Sequence, residues 1–306
     1  MAARRRATRG CPLSVGESTK VAGGLTLVGS YVYGSEKRSY KLYVPQGDRE
    51  GRTALVVMLH GCMQGRDAFA AGTRMNEIAE RDNFLVLYPA QSVYAHRFGC
   101  WNWQDPDHQE NGKGEPAVIA GMTQAVAEDY EIDPGRVYIA GMSAGGAMAG
   151  VMGEAYPDLY AAVGVHSGLG YKAAHDLYSS VAAMRSGGTV AGAVVPTIVF
   201  HGDEDATVNV SNSDRLLERL DGADGSVEGP EGASPGPTEI IEGRAPGGHR
   251  YTRYVYAGEG GPSVERWIVH RMGHAWSGGS AMGTYTDARG PDASEEMIRF
   301  FRENSR

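Results

Sequence analysis

The sequence predicts an α/β protein with a mainly parallel central sheet, helices on both faces and an antiparallel hairpin on its N-terminal side. Short apolar runs rich in β-branched residues alternate with longer amphipathic segments, an order typical of strands joined by crossover helices. Most of these runs are apolar at nearly every position, as expected of strands buried on both faces. Glycine supplies 44 of the 306 residues, which favours many tight turns over a helical bundle.

The predicted elements follow one another in a regular order. A hairpin comes first, because 23–34 and 38–45 alternate polar and apolar residues with a period of two. The predicted strands after it are 53–61, 84–90, 136–141, 161–168, 196–202 and 263–270. Helical periodicity predicts helices over 71–82, 116–130, 144–156, 211–220 and 292–303.

Composition predicts a flexible N-terminal tail over 1–24 and a single domain over 25–306. The tail begins with a cluster of arginines and is expected to be solvated. Segment 221–248 is dense in Gly, Pro and acidic residues, which predicts a mobile surface loop. Because strand-like sequence resumes at 250–258 and too little chain remains for a second core, this segment is not expected to link two domains.

Charge and hydropathy exclude two classes of partner. The net charge of −8 gives no general attraction to nucleic acid or anionic lipid. The longest aliphatic run, 54–59, is far shorter than the ~18 apolar residues of a membrane span. The basic N-terminus lacks the apolar segment of a signal peptide, so no working export signal is expected in this chain. Cys11, Cys62 and Cys100 include no CxxC pair, and no metal cluster is expected.

Ser143 is the predicted nucleophile. It lies in Gly141-Met142-Ser143-Ala144-Gly145, between a predicted strand and a predicted helix. A serine at such a junction sits in a strained turn that projects its hydroxyl above the sheet edge, and small neighbours allow the strand and helix to pass closely. The alternative is a glycine-rich helix entry with a capping serine. A catalytic serine needs an imidazole base and a carboxylate that orients it.

The acid is expected in the loop after the strand 196–202. Asp203, Glu204 and Asp205 are consecutive there. Asp205 is the preferred acid because it lies far enough past the strand end to curl over the sheet, where Val208 could pack beneath it. Asp203 directly follows a turn glycine and is expected to hold the loop by hydrogen bonds to the backbone.

His274 is the predicted base, because it follows the last strand in a Gly-flanked loop from which an imidazole can reach the serine. His166, near the end of its strand, is the main competitor. His60 and His201 each precede a glycine at a strand end and are expected to hold loop backbone, whereas His270 is expected to pack or cap. The remaining histidines lie in predicted loops and are expected to be solvated: His96, His108, His175 and His249.

The oxyanion of an acyl-transfer reaction requires two backbone donors. One is expected to be the N–H of Ala144, directly after the nucleophile. The other is expected from the loop after the first buried strand, His60-Gly61-Cys62-Met63-Gln64, where the N–H of Cys62 is the natural donor.

Several motifs together resemble the poly(3-hydroxybutyrate) depolymerase family of esterases. The likeness runs from about Gly29 to Phe301, interrupted mainly by 221–248. Its motifs, in chain order, are "LHGCMQ", "GCWNW", "GMSAGGAM", "HGDEDATV", "GHAWSGG" and "YTDARGPDASEEMIRFF". The resemblance implies an α/β-hydrolase fold.

Carried over to this sequence, the resemblance implies Ser143 as nucleophile, Asp205 as acid, His274 as base and an oxyanion loop at Cys62. It also brings Cys62 and Cys100 together as a predicted disulfide, with two reduced thiols as the alternative. Members of the family are mostly secreted, which suggests an extracellular location, although the missing export signal departs from that pattern and leaves a cytoplasmic location open.

Three tryptophans are candidate substrate walls, since aromatic faces suit an acyl chain, a polyester repeat or a phenolic ring. Trp101 and Trp103 follow Cys100, and Trp276 lies two residues after the predicted base. The alternative for all three is packing in the core.

The leading hypothesis is a serine carboxylesterase that cleaves a polyester, its oligomers or short acyl esters through an acyl-enzyme, with no metal or organic cofactor. The main alternative is a feruloyl or acetylxylan esterase, because the family is related to esterases of plant cell walls. A non-catalytic binding protein would be favoured by a lost triad residue, and none is lost. A serine peptidase of this fold commonly carries an added propeller or cap domain, for which the chain is too short.

Overall fold

A central sheet organises the part of the chain that the computed structural model describes, residues 13–20, 23–47, 51–188, 195–217, 236–256 and 263–306. The strands are β1 (Leu13–Lys20), β2 (Leu25–Tyr33), β3 (Glu36–Val44), β4 (Thr53–Leu59), β5 (Leu85–Pro89), β6 (Ile132–Met142), β7 (Ala162–His166), β8 (Thr197–Gly202), β9 (Glu239–Arg244), β10 (Arg250–Tyr256), β11 (Val264–Val269), β12 (Trp276–Ser277) and β13 (Thr286–Asp287). The helices are α1 (Arg66–Thr73), α2 (Met75–Asp82), α3 (Gly114–Asp129), α4 (Ala144–Ala155), α5 (Leu177–Ser186), α6 (Ser211–Arg215) and α7 (Ala293–Glu303), with a short 3-10 turn at Pro106–His108.

The strand order is β1-β2-β3-β5-β4-β6-β7-β8-β11-β10-β9. From β5 to β11 in this order, neighbouring strands are parallel. An antiparallel group stands at each side, β1-β2-β3 and β10-β9. The parallel centre and the N-terminal hairpin, β2 with β3, agree with the sequence prediction. Carboxyl ends of parallel strands meet at one edge of a sheet, and the loops of the site described below start from that edge.

The two faces of the sheet carry separate cores. Along β4, Leu55, Val57 and Leu59 join the cluster that includes residues of α3 and α4, whereas the alternate residues of the strand join the cluster that includes residues of α1, α2 and α7. Because side chains alternate across a strand, one wholly apolar strand serves both cores. This explains why β4, β5, β7 and β8 are buried at every position.

Two segments that were predicted to be irregular contain strands. The predicted tail over 1–24 is wrong from Leu13 onward, because Leu13–Lys20 forms β1 and pairs with β2. Its side chains from Ser14 to Thr19 are exposed at the edge of the sheet, so the sequence shows no apolar alternation there. The predicted mobile loop over 221–248 likewise contains β9, an edge strand paired with β10 that has no fully buried residue. Residues 1–12, 21–22 and 218–235 lie outside the described residues.

Two predicted helices also differ from the structure. The helix predicted over 71–82 is α1 and α2, which are separated at Arg74 by a left-handed backbone with φ of 54°. The helix predicted over 211–220 is α6, which ends at Arg215. Within the described residues, no helix combines the length and apolar character needed to cross a membrane.

Candidate active site

Ser143 occupies a sharp turn between β6, which ends at Met142, and α4, which begins at Ala144. Its backbone has φ of 56° and ψ of −124°, a conformation that strains a residue with a side chain. The turn is held by a hydrogen bond from the Ser143 N–H to the carbonyl oxygen of His166 at 2.9 Å. Among the described residues the Ser143 hydroxyl has no hydrogen-bond partner, His274 included, and the residue is only partly buried.

The glycines beside Ser143 are required by close backbone contacts. A Cβ on Gly145 would lie 2.1 Å from the carbonyl oxygen of Leu59, and one on Gly141 would lie 2.3 Å from that of Gly145. Both distances are shorter than any real Cβ contact, so α4 could not approach β4 and β6 with a larger residue at either position. The small residues predicted to flank a catalytic serine are therefore needed here for packing.

Asp205 and His274 form an acid–base pair in which the carboxylate is buried and the imidazole is partly exposed. The Nδ1 of His274 lies 2.7 Å from Oδ2 of Asp205, and the Asp205 side chain has no exposed surface. Oδ1 of Asp205 accepts the N–H groups of Thr207 at 2.9 Å and Val208 at 2.8 Å. These bonds explain how a carboxylate is held without solvent.

Burial raises the pKa of Asp205, but the hydrogen bond to His274, the charge of that residue and the Val208 N–H outweigh it, so the pKa lies below its ordinary value. The carboxylate can only accept hydrogen bonds. The proton of His274 must therefore be on Nδ1, which leaves Nε2 as the basic nitrogen, the tautomer that a general base requires.

A second Asp–His pair lies nearby but is not buried. Asp203 accepts the Nδ1–H of His270 at 2.8 Å and the N–H of Arg271 at 2.6 Å, and the two side chains are 34% and 39% exposed. Nε2 of His270 is itself bonded to the hydroxyl of Thr252 at 2.9 Å. Asp203 thus ties the loop after β8 to the end of β11, the loop-holding role that its position after a turn glycine predicts.

The loop after β4 lies directly against the nucleophile. A Cβ on Gly61 would be 3.4 Å from the Cβ of Ser143. The N–H of Cys62 has no acceptor among the described residues, and the N–H of Ala144 opens α4, where an N–H has no intrahelical acceptor. Both predicted donors are thus free, and the positive end of the α4 dipole lies beside Ser143.

The same loop is held from three directions. Gln64 closes it, because its Oε1 accepts the Gly61 N–H at 3.1 Å while its Nε2 donates to the carbonyl oxygen of Thr284 at 2.8 Å. The N–H of Met63 donates to the carbonyl oxygen of Phe98 at 2.8 Å. Cys62 and Cys100 form a disulfide with a Cα–Cα distance of 4.2 Å, which confirms the predicted pairing.

Three buried histidines stand at or next to the strand ends beneath the site. His60 donates from Nδ1 to the Gly61 carbonyl at 2.9 Å and accepts the Gln91 N–H on Nε2 at 3.1 Å. His201 donates from Nε2 to the Val208 carbonyl at 2.8 Å. Burial lowers the pKa of both histidines, so they are neutral and hold loop backbone, as their positions predict.

His166, the main competitor for the base, is also structural. It is completely buried, its Nε2 accepts the N–H of Ser277 at 2.9 Å, and its Nδ1 lies 3.1 Å from the hydroxyl of Ser167. With both nitrogens engaged it has none free to deprotonate a serine. Unlike the three buried histidines, His274 has a carboxylate hydrogen-bonded to one ring nitrogen and leaves its other ring nitrogen available.

A sequence model described as esterase PHB depolymerase matches residues 38–238, more than half of the chain. The chain belongs to this family. The resemblance inferred from the motifs is thereby confirmed, and the matched stretch includes the oxyanion loop, the Ser143 turn and Asp205.

The chain is similar to proteins named as a depolymerase and to proteins named as esterases. The poly(3-hydroxyalkanoate) depolymerase C of Paucimonas lemoignei is 28% identical over 86% of this chain and 64% of that protein. The feruloyl esterase B of Neurospora crassa is 30% identical over 45% of this chain and 47% of that protein. The acetylxylan esterase A of Emericella nidulans is 34% identical over 44% and 45%, respectively. In each case the match spans less than two thirds of the relative.

Solved structures of esterases share the fold. An acetyl xylan esterase from Aspergillus awamori superposes with a TM-score of 0.66 at 19% identity, over 87% of this chain and 94% of that one. An S-formylglutathione hydrolase from Agrobacterium tumefaciens gives a TM-score of 0.55 at 11% identity, over 95% and 99%. These likenesses confirm the α/β-hydrolase fold.

In this member of the esterase PHB depolymerase family, the three predicted tryptophan walls are buried, and the structure contradicts their role as exposed substrate contacts. Trp101 donates from its indole nitrogen to the His60 carbonyl at 3.0 Å. Trp103 lies in the core with the residues of α3. Trp276 donates to the Ser294 hydroxyl at 3.1 Å. These buried rings support the loops of the candidate site from within the core. Sequence position alone does not distinguish this role from that of lining the site.

Sequence reasoning missed a polar network behind the oxyanion loop of this esterase-family chain. Gln91 donates to the Cys100 carbonyl at 2.9 Å and is bonded to Glu115. Glu115 also accepts the N–H and the side-chain amide of Asn102 at 2.8 and 2.7 Å. The available signal was position, because Gln91 lies two residues after the end of β5, at the edge where the loops of the site meet.

Proposed function

We propose that the chain is a serine carboxylic-ester hydrolase. The observation that carries this proposal is the hydrogen bond between buried Asp205 and His274 at the sheet edge where Ser143 stands in a strained turn with a free hydroxyl. A carboxylate, a correctly protonated imidazole and a serine held by a strand-to-helix turn are the parts needed for acyl transfer to serine. Membership of an esterase family supports the same reaction.

In the proposed mechanism, Oγ of Ser143 attacks the ester carbonyl while Nε2 of His274 takes its proton. The N–H groups of Cys62 and Ala144 bind the oxyanion, in a site that needs no reorganisation because the loop and the helix are already held. His274 returns the proton to the leaving alcohol. Water then attacks the acyl-enzyme, with His274 again as the base, and releases the acid and free Ser143.

The proposed substrate is a polyester of the hydroxyalkanoate type, its oligomers or short acyl esters. The match to the Paucimonas lemoignei depolymerase extends over 86% of this chain, about twice the share matched by the feruloyl and acetylxylan esterases. The second candidate is an esterase of plant cell walls, favoured by the superposition on the Aspergillus awamori enzyme. An extracellular location is proposed from the disulfide, because such bonds persist in oxidising compartments.

Replacement of the nucleophile tests the reaction. Ser143→Ala is expected to lower kcat for p-nitrophenyl butyrate by at least ~10⁴-fold, because removal of a triad serine eliminates covalent catalysis. Hydrolysis would be followed at 405 nm, with circular dichroism and the melting temperature as controls for folding. A folded Ser143→Ala protein with wild-type activity would exclude this mechanism.

Substrate choice requires a panel measured with one preparation of protein. Hydroxybutyrate trimers, methyl ferulate and acetylated xylan would be compared by kcat/KM, with Ser143→Ala as the blank for each. The polyester proposal predicts that the trimers are the best of the three. A preference of tenfold or more for ferulate or acetylxylan would favour the second candidate.

A further inference from the structure

His166 connects two parts of the candidate site that come from distant places in the chain. It is the last residue of β7, and its carbonyl oxygen accepts the N–H of Ser143 at 2.9 Å. Its ring accepts the N–H of Ser277 at 2.9 Å, three residues after His274. One residue therefore holds the main chain of the nucleophile turn with its backbone and the main chain of the base loop with its side chain.

The ring of His166 has little freedom to move. It is stacked on the Trp276 ring with centroids 4.8 Å apart, and it faces the Phe200 ring at 5.8 Å. Because Ser277 donates to Nε2, that nitrogen carries no proton, and the proton on Nδ1 points to the hydroxyl of Ser167 at 3.1 Å. Burial, together with the neighbouring His201 and His274, lowers the pKa of His166 well below its ordinary value, which keeps the acceptor nitrogen free.

The base loop has other bonds close to His274, including those of the Trp276 indole N–H to the Ser294 hydroxyl at 3.1 Å and of the Ser277 hydroxyl to the Pro291 carbonyl at 2.6 Å. The N–H of Trp276 donates to the Tyr285 carbonyl at 2.7 Å, and Tyr285 belongs to a loop that is half exposed. The bond from Ser277 to His166 joins the base loop to β7, the strand whose last residue also holds the Ser143 turn. A loop that loses this link can shift, and a displacement of about 1 Å at a catalytic group can cost ~10²-fold in rate.

We propose that His166 is a positioning residue for ester hydrolysis, which fixes the loop of His274 relative to the turn of Ser143 by accepting the Ser277 N–H. It touches no substrate and transfers no proton. The proposal rests on the serine hydrolase function proposed above and adds to it a residue outside the triad and the oxyanion loop. A neutral imidazole acceptor is the chemical property that the position requires.

The test compares His166→Leu with His166→Gln, using p-nitrophenyl butyrate as substrate. Leucine keeps an apolar side chain but removes the acceptor, and kcat is expected to fall ~10 to 100-fold while KM changes less than about twofold. Glutamine can place its carbonyl oxygen near the position of Nε2, so His166→Gln is expected to recover kcat to within about fivefold of wild type. Both variants lose the stacking of the His166 ring on Trp276 and Phe200. They differ only in whether the side chain can accept the Ser277 N–H.

Two controls separate positioning from general loss of stability. Phe301→Leu alters the core of the same face at the other end of β7, where Phe301 stacks on Tyr138, the partner of Ala162, and should lower the melting temperature without changing kcat. If His166→Leu does not fold, His166→Asn replaces it, because the shorter amide occupies the Nδ1 position and cannot reach the Ser277 N–H.

The possible results distinguish this proposal from the proposed function. An inactive wild-type protein, or an active Ser143→Ala variant, would overturn the hydrolase function itself. With those two results as expected, a folded His166→Leu protein with kcat within twofold of wild type would overturn only the positioning role. A His166→Gln protein as slow as His166→Leu would also overturn it, because restoring the acceptor would then have no effect.

Discussion

At the scale of single residues, two aspartates two positions apart have different environments. The Asp205 carboxylate is fully buried and bonded to His274, whereas Asp203 is partly exposed and bonded to His270. Both pairs have short contacts between oxygen and nitrogen. The two pairs differ at the second ring nitrogen. Nε2 of His274 is free, whereas Nε2 of His270 is bonded to the hydroxyl of Thr252.

This difference predicts unequal effects of the same substitution. Asp205→Asn is expected to lower kcat for p-nitrophenyl butyrate ~10³ to 10⁴-fold, because the asparagine amide can hold His274 in the wrong tautomer. Asp203→Asn keeps the size of a loop-holding residue and is expected to stay within about fivefold of wild type. Steady-state kinetics at pH 8 would measure both. Equal losses in the two variants would contradict the assignment of Asp205 as the acid.

At the scale of elements, the loop between β4 and α1 is restrained at several points. Gln64 ties it to the 280–286 region, the disulfide ties it to the loop after β5, and His60 ties it to Gln91. An oxyanion hole made of backbone N–H groups depends on such restraints, since its catalytic value comes from donors that are oriented before the substrate arrives.

Removal of the disulfide should therefore affect both stability and rate. The double variant Cys62→Ala, Cys100→Ala opens a cross-link between residues 38 apart and is expected to lose about 3–4 kcal/mol of unfolding free energy in the loop-entropy model. The kcat should also fall, by about 3 to 10-fold, because the Cys62 N–H remains but is less well oriented. Urea unfolding and p-nitrophenyl butyrate kinetics would measure these changes.

Cys11→Ser is the matched control for that experiment. The chain has three cysteines, and the disulfide uses the other two, so this variant is expected to keep the wild-type unfolding midpoint and kcat. A double alanine variant as stable as Cys11→Ser would show that the cross-link does not stabilise the fold.

At the scale of the whole molecule, three neutral histidines are buried near the same edge of the sheet. His60, His166 and His201 each have a pKa lowered first of all by burial. The unfolded chain binds a proton at each of them below its ordinary pKa of about 6.5, and the folded protein binds these protons only at lower pH. Their contribution to stability is therefore fully present above pH ~6.5 and is lost as the pH falls below it.

The free energy of unfolding should consequently fall steeply in mild acid. Each histidine contributes a slope of up to about 1.4 kcal/mol per pH unit, and the three together up to about 4 kcal/mol per pH unit between pH ~6 and 5. Urea unfolding at intervals from pH 7.5 to 5 would measure the slope, and His166→Gln should reduce it by about one third. A constant free energy of unfolding across this range would contradict the neutral state of the three rings.

The sequence was sufficient for the centre of the fold, and it placed the proposed catalytic residues at the ends of predicted strands. Strands buried on both faces carry a continuous apolar signal, and β4, β5, β7, β8 and β11 all lie within their predicted ranges. Ser143 and Asp205 also stand out, because glycines and a strand end mark their places. Edge strands gave no such signal: β1 and β9 expose most of their side chains, so only pairing with a neighbour defines them.

Side-chain direction is the part that sequence position did not determine. Trp101 and Trp276 are next to catalytic loops in the chain, yet their rings turn inward and support those loops. The sequence favoured His274 over His166 by position, and the structure adds that His166 is buried with both its ring nitrogens engaged. Each of these outcomes depends on contacts between residues that are far apart in sequence.

The pairing of β11 with β8 has a consequence for the order in which the protein becomes an enzyme. The base loop follows β11, and its bonds to Asp205 and to His166 span 69 and 111 residues. A chain in which the strands up to β8 have assembled would hold a finished nucleophile turn with no base beside it. Recovery of ester cleavage on refolding is therefore expected to require the docking of β11, which recovery of the helix content of the earlier elements does not require.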